Sequence, residues 1–351
     1  MACLTVIGEV LAGIVVAEML AARIFARLFR NERRPDAIHF VRTDDGWNLA
    51  LHQYLPPAGA PPKRPVICCH GLSGNHHNYD LVERTSLART LAAAGHPTFV
   101  LDLRGAGESD HGCARGHPLA WKLSDHYRYD APAAIRRVLE LTGAPKLHWI
   151  GHSMGGMIAY AFLQTPLAEK IARCVILASP STFDQFRPVQ RLAPLLRWLP
   201  GIPLRRLSQS VAPLFERSRL LQAVSGANDL APGVATMFAA NCQDQTPTSL
   251  LADFGRFVQH GHYVDDQGRD LVAGMKQITT PALFFVGEKD HTAMVDSVRT
   301  AYENFGSAEK KFIALGKNHG HQNEYGHMGP LLGRSAAEEV FPEVLAWLER
   351  A

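Results

Sequence analysis

From residue 39 onward the chain alternates between two patterns. Short, largely apolar runs at 66–69, 97–101, 146–150, 174–178, 281–287 and 311–315 lack the strict polar alternation of a half-exposed strand. They predict strands covered on both faces, as in a parallel sheet. Two earlier runs, 39–42 and 49–54, flank the turn Thr43-Asp44-Asp45-Gly46 and predict a hairpin. Between these runs lie helical patterns: 86–94 stopping at Gly95, 127–141 with Ala134, Val138 and Leu141 at helical spacing, the apolar 157–163, and 334–348. Strand–helix alternation of this kind predicts an α/β fold with a mostly parallel, doubly wound sheet.

The alternation is interrupted twice. Residues 181–276 follow the sixth predicted strand and are rich in Pro, Leu, Phe and Arg, including Phe183, Phe186, Leu192, Leu195, Leu196, Trp198, Leu199, Leu204 and Phe215. An insertion here is expected to form a helical cap over the strand ends. Its apolar residues fit either a substrate pocket or the core of a small helical subdomain. The core is thus expected at 37–180 and 277–351.

Residues 1–36 form a separate segment, apolar from Leu4 to Ala22 and then basic at Arg23, Arg27, Arg30, Arg33 and Arg34. Three readings stay open: a docked helix, a membrane-associated helix with its basic residues on the cytoplasmic side, and a cleaved signal. Glu9 and Glu18 fall on opposite helix faces, which disfavours a clean span or interfacial helix.

Composition narrows the function. A formal net charge of +3, with no basic run carrying interleaved aromatics, gives no reason to expect nucleic acid. The six cysteines show no metal-ligand spacing and do not make a disulfide scaffold. Cys68 and Cys69 should point to opposite faces of one strand. Reduced thiols favour a cytoplasmic location, with inner-membrane association as the variant if the N-terminal segment binds lipid. His76-His77 and His319/His321 lack the usual company of metal ligands, so neither a metal nor a cofactor is expected.

The chemistry centres on Gly151-His152-Ser153-Met154-Gly155. A Gly-x-Ser-x-Gly between a strand and a helix presents the serine at a strained turn, where side chains on either side would not fit. A serine needs a base, and the base an orienting carboxylate. Asp290 closes a late strand as the acid, with Glu288 and Asp296 as alternatives. His319, His321 and His327 all follow the last strand, and spacing alone does not choose among them. Earlier, His70-Gly71-Leu72 ends the third strand where a second oxyanion donor belongs, so Leu72 and Met154 are the expected N–H donors. The charged loop 102–110 is expected to hold the scaffold through Asp–Arg and turn contacts.

These phrases, together with Asp102-Leu103-Arg104-Gly105, residues 130–135, Leu147 to Gly156, Gly287-Glu288-Lys289-Asp290 and Tyr325-Gly326-His327, resemble the α/β-hydrolase superfamily. Within it the chain is similar to the acid-lipase and related bacterial esterase/lipase group from about residue 39 to the C-terminus. The resemblance implies Ser153, Asp290 and His327 as a triad, in the family's chain order, and a carboxylic-ester hydrolase acting on a small-molecule or lipid ester. Relatives often carry Asp where this chain has Gly329. Thioester hydrolysis, acyl transfer, carbon–carbon hydrolysis and a non-catalytic binding role are the alternatives. Dehalogenase and epoxide-hydrolase chemistry is disfavoured, because such members carry Asp at the position of Ser153.

Overall fold

The computed structural model describes residues 2–61, 63–112, 116–184, 201–219 and 229–350, the side chains of 2–9 and 11 excepted. Eight strands form one sheet. In chain order they are β1 (Ala37–Arg42), β2 (Asn48–Tyr54), β3 (Val66–Cys69), β4 (Thr98–Asp102), β5 (Leu147–His152), β6 (Ile171–Leu177) and, after a separate pair, β9 (Ala282–Gly287) and β10 (Lys310–Leu315). The spatial order is β1-β2-β4-β3-β5-β6-β9-β10. β1 and β4 each pair antiparallel with β2, and all other neighbours are parallel. β7 (Gly201–Ile202) and β8 (Thr246–Pro247) form a small sheet of their own.

The apolar runs have a physical cause. Successive side chains of each central strand enter two different cores. Ile67, Cys69, Trp149, Ile176 and Phe284 join one, and Val66, Cys68, Ile150, Val175 and Phe285 join the other. Apart from Ala172, which is half-buried, every position on these strands is buried, so polar alternation has no use. Cys68 and Cys69 therefore do point to opposite faces, and both are free thiols, as are Cys174 and Cys242. Cys113 lies outside the described residues.

Helices α1 (Ala2–Leu28), α2 (Leu87–Ala93), α3 (Ala131–Thr142) and α4 (Met154–Phe162) precede the insertion; α5 (Leu204–Ser210), α6 (Val234–Asn241) and α7 (Thr248–His260) lie within it; α8 (Val295–Asn304) and α9 (Phe341–Leu348) follow. α3, α4 and α8 contribute to the first core, and α2 and α9 to the second, which gives helices on both sheet faces. Two helices differ from the sequence expectation, both through proline. The stretch expected at 127–141 opens as a wider π turn, His126–Asp130, before α3. Pro132 has no N–H for the α-helical bond to residue 128. The expected 334–348 helix is divided into Ala336–Glu339 and α9, because Pro342 cannot donate to residue 338.

Between β6 and β9 the chain leaves the sheet. Of the apolar residues expected there, Phe186, Leu192, Leu195, Leu196, Trp198 and Leu199 lie outside the described residues. Phe183 and Phe257 are buried in the first core, and Phe215 and Phe238 in the second. That burial is what the ordinary-core reading expects, and Leu204 is half-buried. Among the described residues, no helix is long and apolar enough to cross a membrane.

Candidate active site

The parallel strands end together, and the residues singled out from the sequence sit at those ends. β3 lies between β4 and β5, so the chain reverses its winding direction there. A crevice outside the strand ends at such a reversal is the usual ligand position in open α/β sheets. Its walls are the loops after β3 and β5. A β carbon on Gly71 would lie 2.9 Å from Cβ of Ser153, so the two loops touch.

Ser153 joins β5 to α4 with φ 52° and ψ −118°, a left-handed-side backbone that side-chain-bearing residues rarely adopt. Gly151 and Gly155 are there for space. A β carbon on Gly155 would lie 2.2 Å from the Cys69 carbonyl oxygen, and one on Gly151 would lie 2.4 Å from the Gly155 carbonyl carbon. Any larger residue would push the elbow off β3. Met154 opens α4, so its N–H has no acceptor within the helix.

Three expected residues meet in one hydrogen-bonded chain. The Ser153 hydroxyl lies 3.0 Å from His327 Nε2, and His327 Nδ1 lies 2.8 Å from Asp290 Oδ2. Asp290 Oδ1 accepts from the N–H groups of Thr292 and Ala293, both at 2.7 Å. A ring tautomer with its proton on Nδ1 donates to the carboxylate and leaves Nε2 to accept from the Ser153 hydroxyl. The alternatives lie elsewhere. Glu288 accepts from Asn318, His321 contacts Gly316, and His319 is exposed. Close approach selects His327: a β carbon on Gly287 would lie 2.2 Å from the Tyr325 carbonyl oxygen, and Lys289 N–H donates to that oxygen at 2.9 Å. The end of β9 thus fixes the loop that carries the histidine.

Several supporting residues escaped the sequence reading. Burial pulls the pKa of His152 down to about 3, so its ring is neutral. Its Nε2–H donates to the His327 carbonyl at 2.9 Å, so the residue before the serine holds the backbone at His327. Burial likewise lowers His70 to about 4. Its Nδ1–H donates to Gly71 O at 2.8 Å, and its Nε2 accepts the Leu103 N–H at 3.1 Å. That fixes the turn at Leu72, which packs half-buried against the first core.

The loop after β3 is also tied at its far end. Asp102, fully buried, accepts from His52 Nε2 at 2.7 Å, His76 Nδ1 at 2.9 Å, the His76 N–H at 2.7 Å and the Glu108 N–H at 2.9 Å. Burial opposes its charge, but His76 and His52 outweigh that and hold its pKa well below the ordinary value. Burial lowers His76 and Asp102 raises it by more, so its pKa ends above the ordinary value. His52, His76 and Asp102 are close enough to hold a metal ion. Their long sequence separation hid this group from a spacing argument. Here the three bind one another, and the carboxylate is occupied by four N–H donors. Arg104 pairs with Asp130 and Asp45, both at 2.7 Å, as the scaffold reading of this loop expects.

Asp229 holds the His327 loop from the insertion side. Its Oδ2 accepts the Gly326 N–H at 3.2 Å, and burial raises its pKa to about 7. As pH rises from about 4 to about 7, the unfolded chain loses this proton while the folded chain keeps it, so stability falls across that window. Asp229→Asn, whose amide oxygen can still accept from Gly326, removes the titration. Its thermal midpoint should rise relative to the parent between pH 5 and pH 8. An equal gap at both pH values would contradict this.

A family model described as the alpha/beta hydrolase fold matches residues 64–319, and the chain belongs to that family. Over 160 residues it is 34% identical to the gastric triacylglycerol lipase of Bos taurus, covering 42% of this chain and 40% of the relative. Over 170 residues it is 31% identical to a tear acid lipase-like protein of Mesocricetus auratus, covering 43% of this chain and 41% of the relative. The chain thus spans about two fifths of the length of these curated relatives. Among solved structures, a soluble variant of the monoglyceride lipase from Saccharomyces cerevisiae aligns with a TM-score of 0.61 at 16% identity, covering 91% of this chain and 97% of that one. That likeness is one of fold.

Proposed function

We propose that the protein hydrolyses carboxylic esters through an acyl-enzyme on Ser153. The observation that carries this reading is the hydrogen-bonded chain from Ser153 through His327 to Asp290. Ser153 Oγ attacks the ester carbonyl carbon while His327 Nε2 takes the hydroxyl proton. The Leu72 and Met154 N–H groups bind the oxyanion that forms, and a single such donor is worth about 3–4 kcal/mol. The tetrahedral intermediate collapses, the C–O bond to the alcohol breaks, and His327 returns the proton to the departing oxygen. Water then repeats the sequence on the acyl-enzyme, releasing the acid and regenerating Ser153. Asp290 orients the ring and stabilises the imidazolium in both halves. No metal or cofactor enters these steps.

The lipase names of the relatives point to acylglycerol and other lipid esters as the substrate class. Transfer of the acyl group to another alcohol, or attack on a thioester, would use the same intermediate. The buried free thiols at Cys68, Cys69, Cys174 and Cys242 are consistent with a reducing location such as the cytoplasm. A panel of p-nitrophenyl esters from acetate to palmitate, with and without detergent micelles, tests the reading. Turnover is expected with at least one chain length. Absence of turnover across the whole panel would count against ester hydrolysis.

A further inference from the structure

The sequence left the N-terminal segment with three readings, and the geometry of α1 bears on the lipid-binding one. From residue 10 to residue 17 every described side chain is exposed, and all are apolar or glycine. Seven described positions in eight cover more than two helical turns, hence the whole circumference. Val10, Ile14, Val15 and Val16 are each about half exposed or more, with Ile14 at 59%. A helix that is apolar all round is at home in a protein core or in lipid, not in water.

Beyond residue 17 the helix docks on the protein along one side. Ala22 is buried, and α1 packs on α5. Glu18, one of the two acids that counted against a lipid-binding helix in the sequence, turns toward the body and pairs with Arg206 at 2.9 Å, while the side chain of Glu9 lies outside the described residues. The opposite side keeps Leu20, Ile24 and Leu28 in one row at four-residue spacing, 53%, 52% and 68% exposed. Arg23, Arg27 and Arg30 border this row, all exposed, with no ion-pair partner among the described residues. An exposed apolar row edged by unpaired cations complements a surface with a hydrocarbon interior and anionic headgroups.

We propose that α1 docks the protein on an anionic lipid bilayer, its apolar N-terminal part entering the hydrocarbon and its arginine border meeting the headgroups. The proposal stands whether or not Ser153 is the nucleophile. It also gives the insertion a place near lipid. Arg205, next to the Glu18 partner Arg206, reaches Asp244 at 3.3 Å, and Asp244 accepts from Asn75 in the loop after β3 at 2.8 Å.

Flotation of the full chain with phosphatidylcholine vesicles, with and without phosphatidylglycerol, tests the proposal. The parent should float with both and more strongly with phosphatidylglycerol present. Replacing Val16, Leu20 and Ile24 together by Glu should abolish flotation, while circular dichroism and the thermal midpoint, as checks on folding, stay at the parent level. Replacing Arg23, Arg27 and Arg30 by Gln should remove the preference for phosphatidylglycerol, about a 100-fold change in partitioning. Failure of the parent to float overturns the proposal, as does flotation of the triple-Glu variant. A lipid-free dimer that the triple-Glu change converts to monomer, with no vesicle binding by the parent, would also overturn it in favour of a second copy of this chain on that face.

Discussion

Ser153→Ala is expected to lower turnover of a short p-nitrophenyl ester by about a million-fold, with the fold unchanged. The variant keeps the β carbon that already sits at φ 52°, so the strained elbow gains no new clash. It removes the oxygen 3.0 Å from His327 Nε2, and with it the only atom positioned to form the acyl bond in the proposed sequence. Circular dichroism and thermal unfolding matching the parent would establish that the loss is chemical. Turnover near the parent level would remove Ser153 from the mechanism.

The second large effect is expected at Asp290→Asn, about ten-thousand-fold on turnover, by analogy with the same change in the serine-protease template. The geometry supplies the reason. Oδ1 of Asp290 accepts two N–H groups, from Thr292 and Ala293, so an Asn would keep its oxygen there. Its amide nitrogen would then face His327 Nδ1 and donate to it. The ring would carry its proton on Nε2 instead, where it could no longer accept the Ser153 proton. Steady-state kinetics should show the loss mainly in kcat. A variant retaining most of its turnover would mean that another group orients the imidazole.

The sequence pattern revealed the sheet because strands buried on both faces are mostly apolar and lack polar alternation, and the runs at 66–69, 146–150 and 281–287 carry that signature. Ser153 was legible for a similarly local reason: the glycines that clear space around it are its sequence neighbours. The base was less legible. His319, His321 and His327 were equivalent by spacing. What separates them is the approach of Gly287 to Tyr325, a contact across 38 residues of chain that no local pattern encodes. Asp229 and the His52–His76–Asp102 group were invisible for the same reason, since each is assembled from distant segments. His152 was in plain view inside the motif. Its role depends on a hydrogen bond to residue 327, so only the folded chain discloses it. Glu18 was visible as one of two acids on opposite faces of α1, but its pairing with Arg206 joins segments 188 residues apart, so only the folded chain discloses it.

The central claim, that Ser153 is a nucleophile activated by His327 and Asp290, is tested most directly by covalent labelling with a fluorophosphonate. Loss of fluoride and formation of one O–P bond should add a single adduct, which peptide mapping places on Ser153. The adduct should be absent in Ser153→Ala and form far more slowly in Asp290→Asn. A parent protein that does not react, or an adduct that maps to another residue, would contradict the account.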